Sequence, residues 1–359
     1  MLGAGGLVIL TRATGAPGRT LALPKVRFQA RVIGAEDAPL GAVVAAINAD
    51  GTIVGSLTTE AGMAAFAHRG TALRLLTGEG QISAARAVNG RDAIAGAVAG
   101  RAVVWRDDAV IALDTLGGET GEAFGINDDG LSVGQAATAD GRTHAVLWQR
   151  GGTARDLSAD DVALSVAYGI NADGIAVGYT AVGGTGRTER AARWVEGELV
   201  DLGTLGGDVS QATAINAGGV VVGSSGTAPG FGSVDHAVIW DGPESTEPTD
   251  LGVLGKAKVP GRESEIVFDQ SQARAINAEG WVVGYGASSA ENAPHSLATI
   301  WLEGRITAPY DLNLLIGDAA KDLVLTRASG VNDAGTIVCT GFERGDEDRV
   351  SRVVVLTRR

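Results

Sequence analysis

Short apolar runs, each broken by a polar turn that contains glycine, succeed one another along most of the chain. One phrase recurs seven times: an apolar run ending in Ile-Asn or Val-Asn, a turn, and a second apolar run. Asn tolerates positive φ and bonds its own backbone, and Gly supplies positive φ without a Cβ clash, so each copy predicts a two-stranded hairpin. The seven copies span 46–55, 87–96, 125–134, 169–178, 214–223, 275–284 and 330–339.

A second phrase follows most copies, in which an apolar run ends in Trp before another turn. A third phrase comes next, as DLGTLGG at 201–207 and in variants at 113–119 and 251–256. Taken together over 211–254, these phrases predict four strands, and runs such as Val-Val-Val suit strands buried on both faces. The Trp phrase lies at 101–108, 144–151, 191–197, 236–242 and 297–304, with degenerate copies at 63–70 and 352–359.

A four-stranded sheet of this kind has two apolar faces that one unit cannot bury alone. Stacking each unit on the next buries both faces, and closing the stack into a ring leaves no free end. The repeated Asn residues are 38 to 61 positions apart, which suits a four-stranded blade with insertions in the last two intervals. We therefore predict an all-β chain that forms one domain over 1–359, a seven-bladed β-propeller of four-stranded blades. The alternative is an eighth blade from residues 1–42, although these lack the Asn phrase.

The seventh copy supplies only three strands, near 328–332, 336–341 and 350–357, before the sequence stops. Upstream of the first copy lies a β-rich run, KVRFQARVIG at 25–34. An unpaired third strand would be an exposed apolar edge. We therefore predict that residues 26–34 pair with 350–357 as the outer strand of the last blade.

The repeats resemble the bacterial "extracellular repeat, HAF" proteins, named for the His-Ala-Phe at the head of the Trp strand. The matching positions are His144-Ala145-Val146 and His236-Ala237-Val238, together with the DLGTLGG phrase and the Asn-turn phrase. The resemblance covers roughly residues 40–345, with Val in place of Phe and no His in most copies. It implies a β-propeller-like fold and, often, secretion. The family has no agreed reaction, so the resemblance lends no catalytic residues.

The formal net charge of −13 repels nucleic acid and anionic membranes over most of the surface. The apolar start, MLGAGGLVIL, is too short to span a membrane and lacks the basic region of a signal peptide. We expect no nucleic-acid partner, no membrane span and a monomer, either cytoplasmic or, if a signal was removed, extracellular. The single cysteine, Cys339, excludes an intramolecular disulfide and is expected to be a small buried residue.

Several residues that resemble functional groups recur at repeat positions, which favours structural roles. Asn-Asp-Asp-Gly at 127–130 lacks the carboxylates of a calcium loop. His144 and His236 head strands on non-adjacent blades, and His295 precedes the equivalent strand, so capping of the blade edge is favoured over a metal site. The five Trp residues of the second phrase are expected to fill the core between blades. We expect no metal and no cofactor.

Departures from the repeat are the better guide to function. The insertions at 226–235, 256–272, 286–296 and 316–329 are second-to-third or fourth-to-first connections, which open on one face of a propeller at the mouth of the central channel. Variable loops on a rigid scaffold commonly bind ligands. We predict a binding scaffold that recognises a glycan, peptide, protein or small-molecule ligand at this face. Its candidate binding residues are Arg262, Glu265, Asp269 and His295.

The alternative is a propeller enzyme, a hydrolase, lyase or cyclase, with acid–base residues at the channel mouth. General acid–base chemistry needs positioned carboxylates with shifted pKa values. The candidates are Glu122, Asp269, Arg86 and Arg327, each expected just before an inner strand. The same residues could form salt bridges at strand ends, and the sequence contains no recognisable set of catalytic residues.

Overall fold

The structure is a computed structural model that describes residues 24–33, 41–77, 80–107, 109–159, 162–181, 188–230, 233–259, 265–290, 296–302, 309–317, 320 and 322–359. Within these residues it is all-β, with 30 strands and one short 3-10 helix, Leu312–Leu314. No helix in the described residues is long or apolar enough to cross a bilayer. Seven four-stranded sheets and one additional hairpin account for all the strands.

The first four blades follow the repeat in chain order, each as an antiparallel sheet whose strands are sequential. The first blade comprises β2 (Ala42–Ile47), β3 (Ile53–Thr59), β4 (Gly62–Arg69) and β5 (Ala72–Leu75). The second comprises β6 (Ser83–Val88), β7 (Ile94–Val98), β8 (Arg101–Arg106) and β9 (Ala109–Ala112). The third comprises β10 (Gly117–Ile126), β11 (Ser132–Thr138), β12 (Thr143–Trp148) and β13 (Ala154–Asp156). The fourth comprises β14 (Ser165–Ile170), β15 (Ala176–Ala181), β16 (Glu189–Val195) and β17 (Glu198–Asp201).

The last three blades have the same layout, with one hairpin inserted between the fifth and sixth. The fifth comprises β18 (Ser210–Ile215), β19 (Val221–Gly226), β20 (Asp235–Trp240) and β21 (Thr249–Asp250). The inserted hairpin is β22 (Gly255–Lys258) and β23 (Glu265–Phe268). The sixth blade comprises β24 (Gln270–Ile276), β25 (Val282–Ala287), β26 (Ser296–Trp301) and β27 (Tyr310–Asp311). The seventh comprises β28 (Leu323–Val331), β29 (Ile337–Glu343), β30 (Arg352–Arg358) and β1 (Phe28–Ile33). The predicted seven-bladed propeller is confirmed, and residues 1–42 add no eighth blade among the described residues.

The seventh sheet takes its outer strand from the start of the described chain. β1 pairs antiparallel with β30, from Phe28 opposite Arg358 to Ile33 opposite Val353. Phe28 is fully buried, its amide donates to the carbonyl of Leu315, and its ring meets Trp281 edge-on with centroids 6.3 Å apart. β1 therefore contacts two blades: it pairs with β30 of the seventh, and Phe28 contacts Leu315 and Trp281 of the sixth.

The recurrent Asn links each blade to the next as well as forming its own turn. In Asn48, Oδ1 accepts from the Thr52 amide at 2.8 Å, and Nδ2 donates to the carbonyl of Asn89, the corresponding residue of the next blade, also at 2.8 Å. Six of the seven Asn residues make this contact between blades, and Asn171 Nδ2 has no partner among the described residues. The Asn therefore forms the turn that the sequence predicts, and in six blades it also makes a tertiary hydrogen bond to the next blade.

The Trp strand forms the core between blades, as the repeat predicts. Trp148, Trp194, Trp240 and Trp301 are among the largest fully buried side chains, and Trp105 is only 4% exposed. Three of them also bond the preceding blade; for example, Trp301 Nε1 donates to the carbonyl of Leu251 at 2.9 Å. Cys339 is fully buried in the same core, and burial raises the pKa of its thiol far above the usual range.

Candidate functional site

Every inner strand carries a β-bulge at the same repeat position, three residues before the recurrent Asn. The register between the first and second strands skips one residue there in all seven blades. A bulge redirects a side chain while the residues on either side keep their pairing. The residue before each bulge packs between blades and is Ala in six copies and Val44 in the first. The bulge residues are Ala45, Arg86, Phe124, Tyr168, Thr213, Arg274 and Ser329.

All seven bulge residues line one central cavity of about 960 Å³. A second ring of positions, two residues earlier in each strand, contributes Val43, Glu122 and Arg327 among others. Toward the Asn end, the lining changes to Ile and Val side chains such as Ile47 and Val331. The channel is therefore polar over part of its depth and apolar next to the Asn ring.

Three arginines face this channel from three blades. Arg86 Nε donates to Oε1 of Glu122 at 2.7 Å, which is the ion pair between the second and third blades. The guanidinium of Arg327 lies over the ring of Tyr285, 4.7 Å from its centroid. Arg274 makes no hydrogen bond or ion pair with any residue that the structure describes. Glu122 is the single carboxylate among the fourteen positions of the two rings, which leaves an excess of two positive charges.

The pKa of Arg274 is perturbed because protein surrounds the channel on all sides. Arg274 is reached by solvent from within the channel but is enclosed laterally, and this burial lowers the pKa of its guanidinium, with Arg327 and Arg86 adding to the effect. Burial also raises the pKa of Tyr168, although the positive charge of Arg274 opposes that shift. Even so, Arg274 stays charged at neutral pH, because the pKa of a free guanidinium lies far above that range.

The opposite side of the channel is aromatic. Phe124 and Tyr168 meet edge-on with ring centroids 5.3 Å apart, and Tyr168 lies 5.9 Å from Tyr179 in a tilted arrangement. The channel therefore offers a cationic side from the second, sixth and seventh blades and an aromatic side from the third and fourth.

The enzyme candidates from the sequence are only partly brought together. Arg86, Glu122 and Arg327 lie in the channel, but within their inner strands rather than just before them, which corrects the expected placement. Asp269 does precede an inner strand, yet it does not line the channel cavity; its carboxylate accepts from the amide and hydroxyl of Ser289. These four residues therefore do not form one site.

The described residues include two of the four predicted binding residues, Glu265 and Asp269. Glu265 is exposed in β23, opposite Lys258, and lines neither the channel nor any other cavity found among the described residues. Arg262 and His295 lie outside the described residues. The insertion at 256–272 forms the hairpin β22–β23, whose Phe268 packs against Leu297 of the sixth blade.

The His residues that head the Trp strands contact the outer strands of their own blades. His144 Nδ1 lies 2.8 Å from Oδ2 of Asp156, and its Nε2 lies 2.9 Å from the carbonyl of Val162. His236 Nδ1 makes the same contact with Asp250 at 2.9 Å. The aspartate in each pair belongs to the outer strand, so these contacts tie the third strand to the fourth.

Sequence reasoning missed Arg274, Tyr168 and Phe124. The signal was present in the repeat itself. Four residues before the Asn, the copies are nearly invariant, whereas three and five residues before it they differ in charge, size and aromaticity. Positions that vary within an otherwise regular repeat are those that the scaffold does not dictate.

No protein-family model matches the sequence, and no curated protein is detectably similar to it. Among solved structures, puromycin hydrolase is 14% identical with a TM-score of 0.54, covering 93% of this chain and 55% of the hydrolase. This chain thus spans about half of that enzyme's length. A putative TolB from Agrobacterium tumefaciens is 12% identical with a TM-score of 0.48, covering 67% of this chain and 84% of that one. The likeness to puromycin hydrolase, at 14% identity, shows the β-propeller fold alone.

Proposed function

We propose that the protein is a binding scaffold whose central channel accepts an anionic ligand, a carboxylate-bearing small molecule or an acidic peptide end. The observation that carries this proposal is Arg274, a channel-facing guanidinium without a counter-ion in the described residues, next to Arg86 and Arg327. A planar guanidinium binds carboxylate or phosphate through two parallel hydrogen bonds.

The placement of charge supports a ligand rather than a purely structural role. The chain as a whole carries a net charge of −13, yet its channel concentrates positive charge. Like charges that cluster in a cavity with low-dielectric walls repel one another and attract counter-ions. An anion in the channel relieves that repulsion.

The aromatic side narrows the class of ligand. Phe124 and Tyr168 offer ring faces and edges opposite the arginines, so the ligand combines an anionic group with a flat or apolar portion. Binding is favoured over catalysis because Glu122, the one carboxylate in the two rings, is already held by Arg86. General acid–base chemistry needs a second positioned acid or base. The other titratable candidate at these positions is the hydroxyl of Tyr168, and burial raises its pKa still further from neutral pH.

Isothermal titration calorimetry with citrate and with benzoate tests this proposal. Replacing Arg274 by Gln should weaken the binding of each probe about 10- to 100-fold, because a hydrogen bond to a charged group contributes about 1.5–3 kcal/mol. The matched control is Arg155→Gln on the outer strand β13, which leaves the channel intact and should leave binding unchanged. Equal binding by the wild type, Arg274→Gln and Arg155→Gln proteins would overturn the proposal.

A further inference from the structure

A second, smaller cavity of about 210 Å³ lies beside the channel, between the fourth, fifth and sixth blades. Apart from Val209, its lining residues are all polar, and two are carboxylates, Glu189 and Asp235. Gln211 lines both this cavity and the central channel, so the two spaces adjoin. We call the smaller space the acidic pocket.

The two carboxylates of the acidic pocket occupy one repeat position in successive blades. Each stands five residues before the Trp, or its equivalent, of its own third strand: Trp194 for Glu189 and Trp240 for Asp235. No other blade has an acid there. The remaining five residues at that position are Met63, Gly100, Thr143, Ser296 and Ser351. The fold therefore does not require an acidic residue at this repeat position, and only the fourth and fifth blades, which are neighbours, have one.

The pocket also contains polar groups that the protein leaves unused. Ser224 is only 8% exposed and lines the pocket, yet its hydroxyl has no hydrogen-bond partner among the described residues. Asp235 likewise makes no side-chain hydrogen bond with a described residue. Burial raises the pKa of Asp235, His236 opposes the rise, and Glu189 adds to it. Glu189 accepts a hydrogen bond from Nε2 of Gln211 at 2.6 Å, so the argument rests on Asp235 and Ser224. The carboxylate of Asp235 and the free hydroxyl of Ser224 together favour a cationic, hydrogen-bond-donating occupant.

We infer that the acidic pocket binds an organic ammonium group, and that the ligand of the channel is an aminocarboxylate or a peptide-like zwitterion. An ammonium carries three donors, which suits the carboxylate of Asp235 and the hydroxyl of Ser224, with the negative charge of Glu189 beside them. A divalent metal is a poorer fit, because the described residues hold no group of three or more His, Cys, Asp or Glu side chains that could coordinate one. The second clause of this inference rests on the proposed function of the channel; the first stands on the pocket alone.

n-Hexylamine, which carries no anion, tests the pocket alone by calorimetry. Wild-type protein should bind its ammonium form, and Asp235→Asn should weaken that binding about 10-fold or more. Ser224→Ala should weaken it less, and this change is structurally safe because the second blade has Ala97 at the same repeat position. The control is Glu198→Gln, which removes an exposed carboxylate from the outer strand β17 and should change nothing. Amine binding that is absent, or that does not depend on Asp235, overturns the inference.

A matched series tests the zwitterion. We would compare 4-aminobutyrate, 6-aminohexanoate and 8-aminooctanoate with butyrate, hexanoate and octanoate, since the chain length measures the span between the two sites. One amine should bind about 10-fold more tightly than its plain carboxylate, and Asp235→Asn should abolish that advantage without changing the plain carboxylate. If plain carboxylates bind through Arg274 but no amine gains affinity, the zwitterion inference fails and the proposed function stands. If no carboxylate binding depends on Arg274, the proposed function fails, and the hexylamine result still decides the pocket.

Discussion

The side-chain amide of Asn332 donates a hydrogen bond of 3.1 Å to the backbone carbonyl of Asn48, 284 residues earlier in the chain. This contact joins the seventh blade to the first. It repeats the link that Asn48 makes to Asn89 and that Asn277 makes to Asn332, so ring closure uses the same bond as every other junction but one. The exception, at Asn171, offers a control within the same molecule.

We predict that Asn332→Asp destabilises the protein by about 1 kcal/mol more than Asn171→Asp. Both substitutions keep an acceptor for the turn amide and bury a carboxylate in the same repeat setting. Only the change at Asn332 also removes a donor to the next blade. Urea unfolding at pH 7 measures the difference, and equal free energies of unfolding would show that the bond between blades contributes nothing.

The strand β1 should be essential for stability. Deleting residues 1–34 removes the outer strand of the seventh blade and the buried Phe28, and should lower the melting temperature by at least about 5 °C or cause aggregation through the exposed edge. Deleting residues 1–12 should matter less. In the full chain, Phe28→Ala should cost about 3–5 kcal/mol, as for other buried Phe residues. A 1–34 deletion that melts like the full chain would contradict this account of closure.

Stability should depend on pH through Asp311, which accepts hydrogen bonds from the amide and side chain of Asn313. Burial raises the pKa of Asp311 to about 6, above the value of 3.8 for the free group. Because the folded state holds this proton more tightly, its contribution is complete below pH 3.8 and is lost as pH rises through 6. The loss amounts to at most about 3 kcal/mol.

The matched variant for that prediction is Asp311→Asn, which keeps an acceptor for Asn313 but does not titrate. Relative to the variant, wild-type protein should lose stability between pH 4 and pH 7, as measured by urea unfolding across that range. Parallel pH profiles for the two proteins would mean that Asp311 does not titrate with a raised pKa.

The sequence predicted the fold well because the repeat encodes it locally. The Asn turn requires a residue with positive φ three positions on, and the structure places Gly219 there with φ of 76° in the fifth blade. In the second blade the same position is Asp92 with φ of 58°, so the turn survives without Gly. Apolar runs and turn residues were enough to place four strands in each blade, because the same phrases recur along the chain.

The site was predicted less well, because it depends on geometry that no single copy reveals. The long insertions were the expected site, whereas β-bulges direct Arg86 and Arg274 into the channel, and Arg327 lines it from two residues before the bulge of its own strand. These arginines are separated by as many as 241 positions, and only closure of the ring makes them neighbours. Asp269 does lie before an inner strand, as the sequence predicts, yet its carboxylate accepts hydrogen bonds from the amide and hydroxyl of Ser289.

The most direct test of the channel as an anion site is a crystal structure of the wild-type protein with citrate at neutral pH. We predict a carboxylate of citrate inside the channel, within hydrogen-bonding distance of Arg274 and of Arg86 or Arg327, with the remainder of the molecule toward Phe124 and Tyr168. An ordered citrate bound elsewhere, with the three guanidinium groups of the channel unliganded at saturating citrate, would contradict the account.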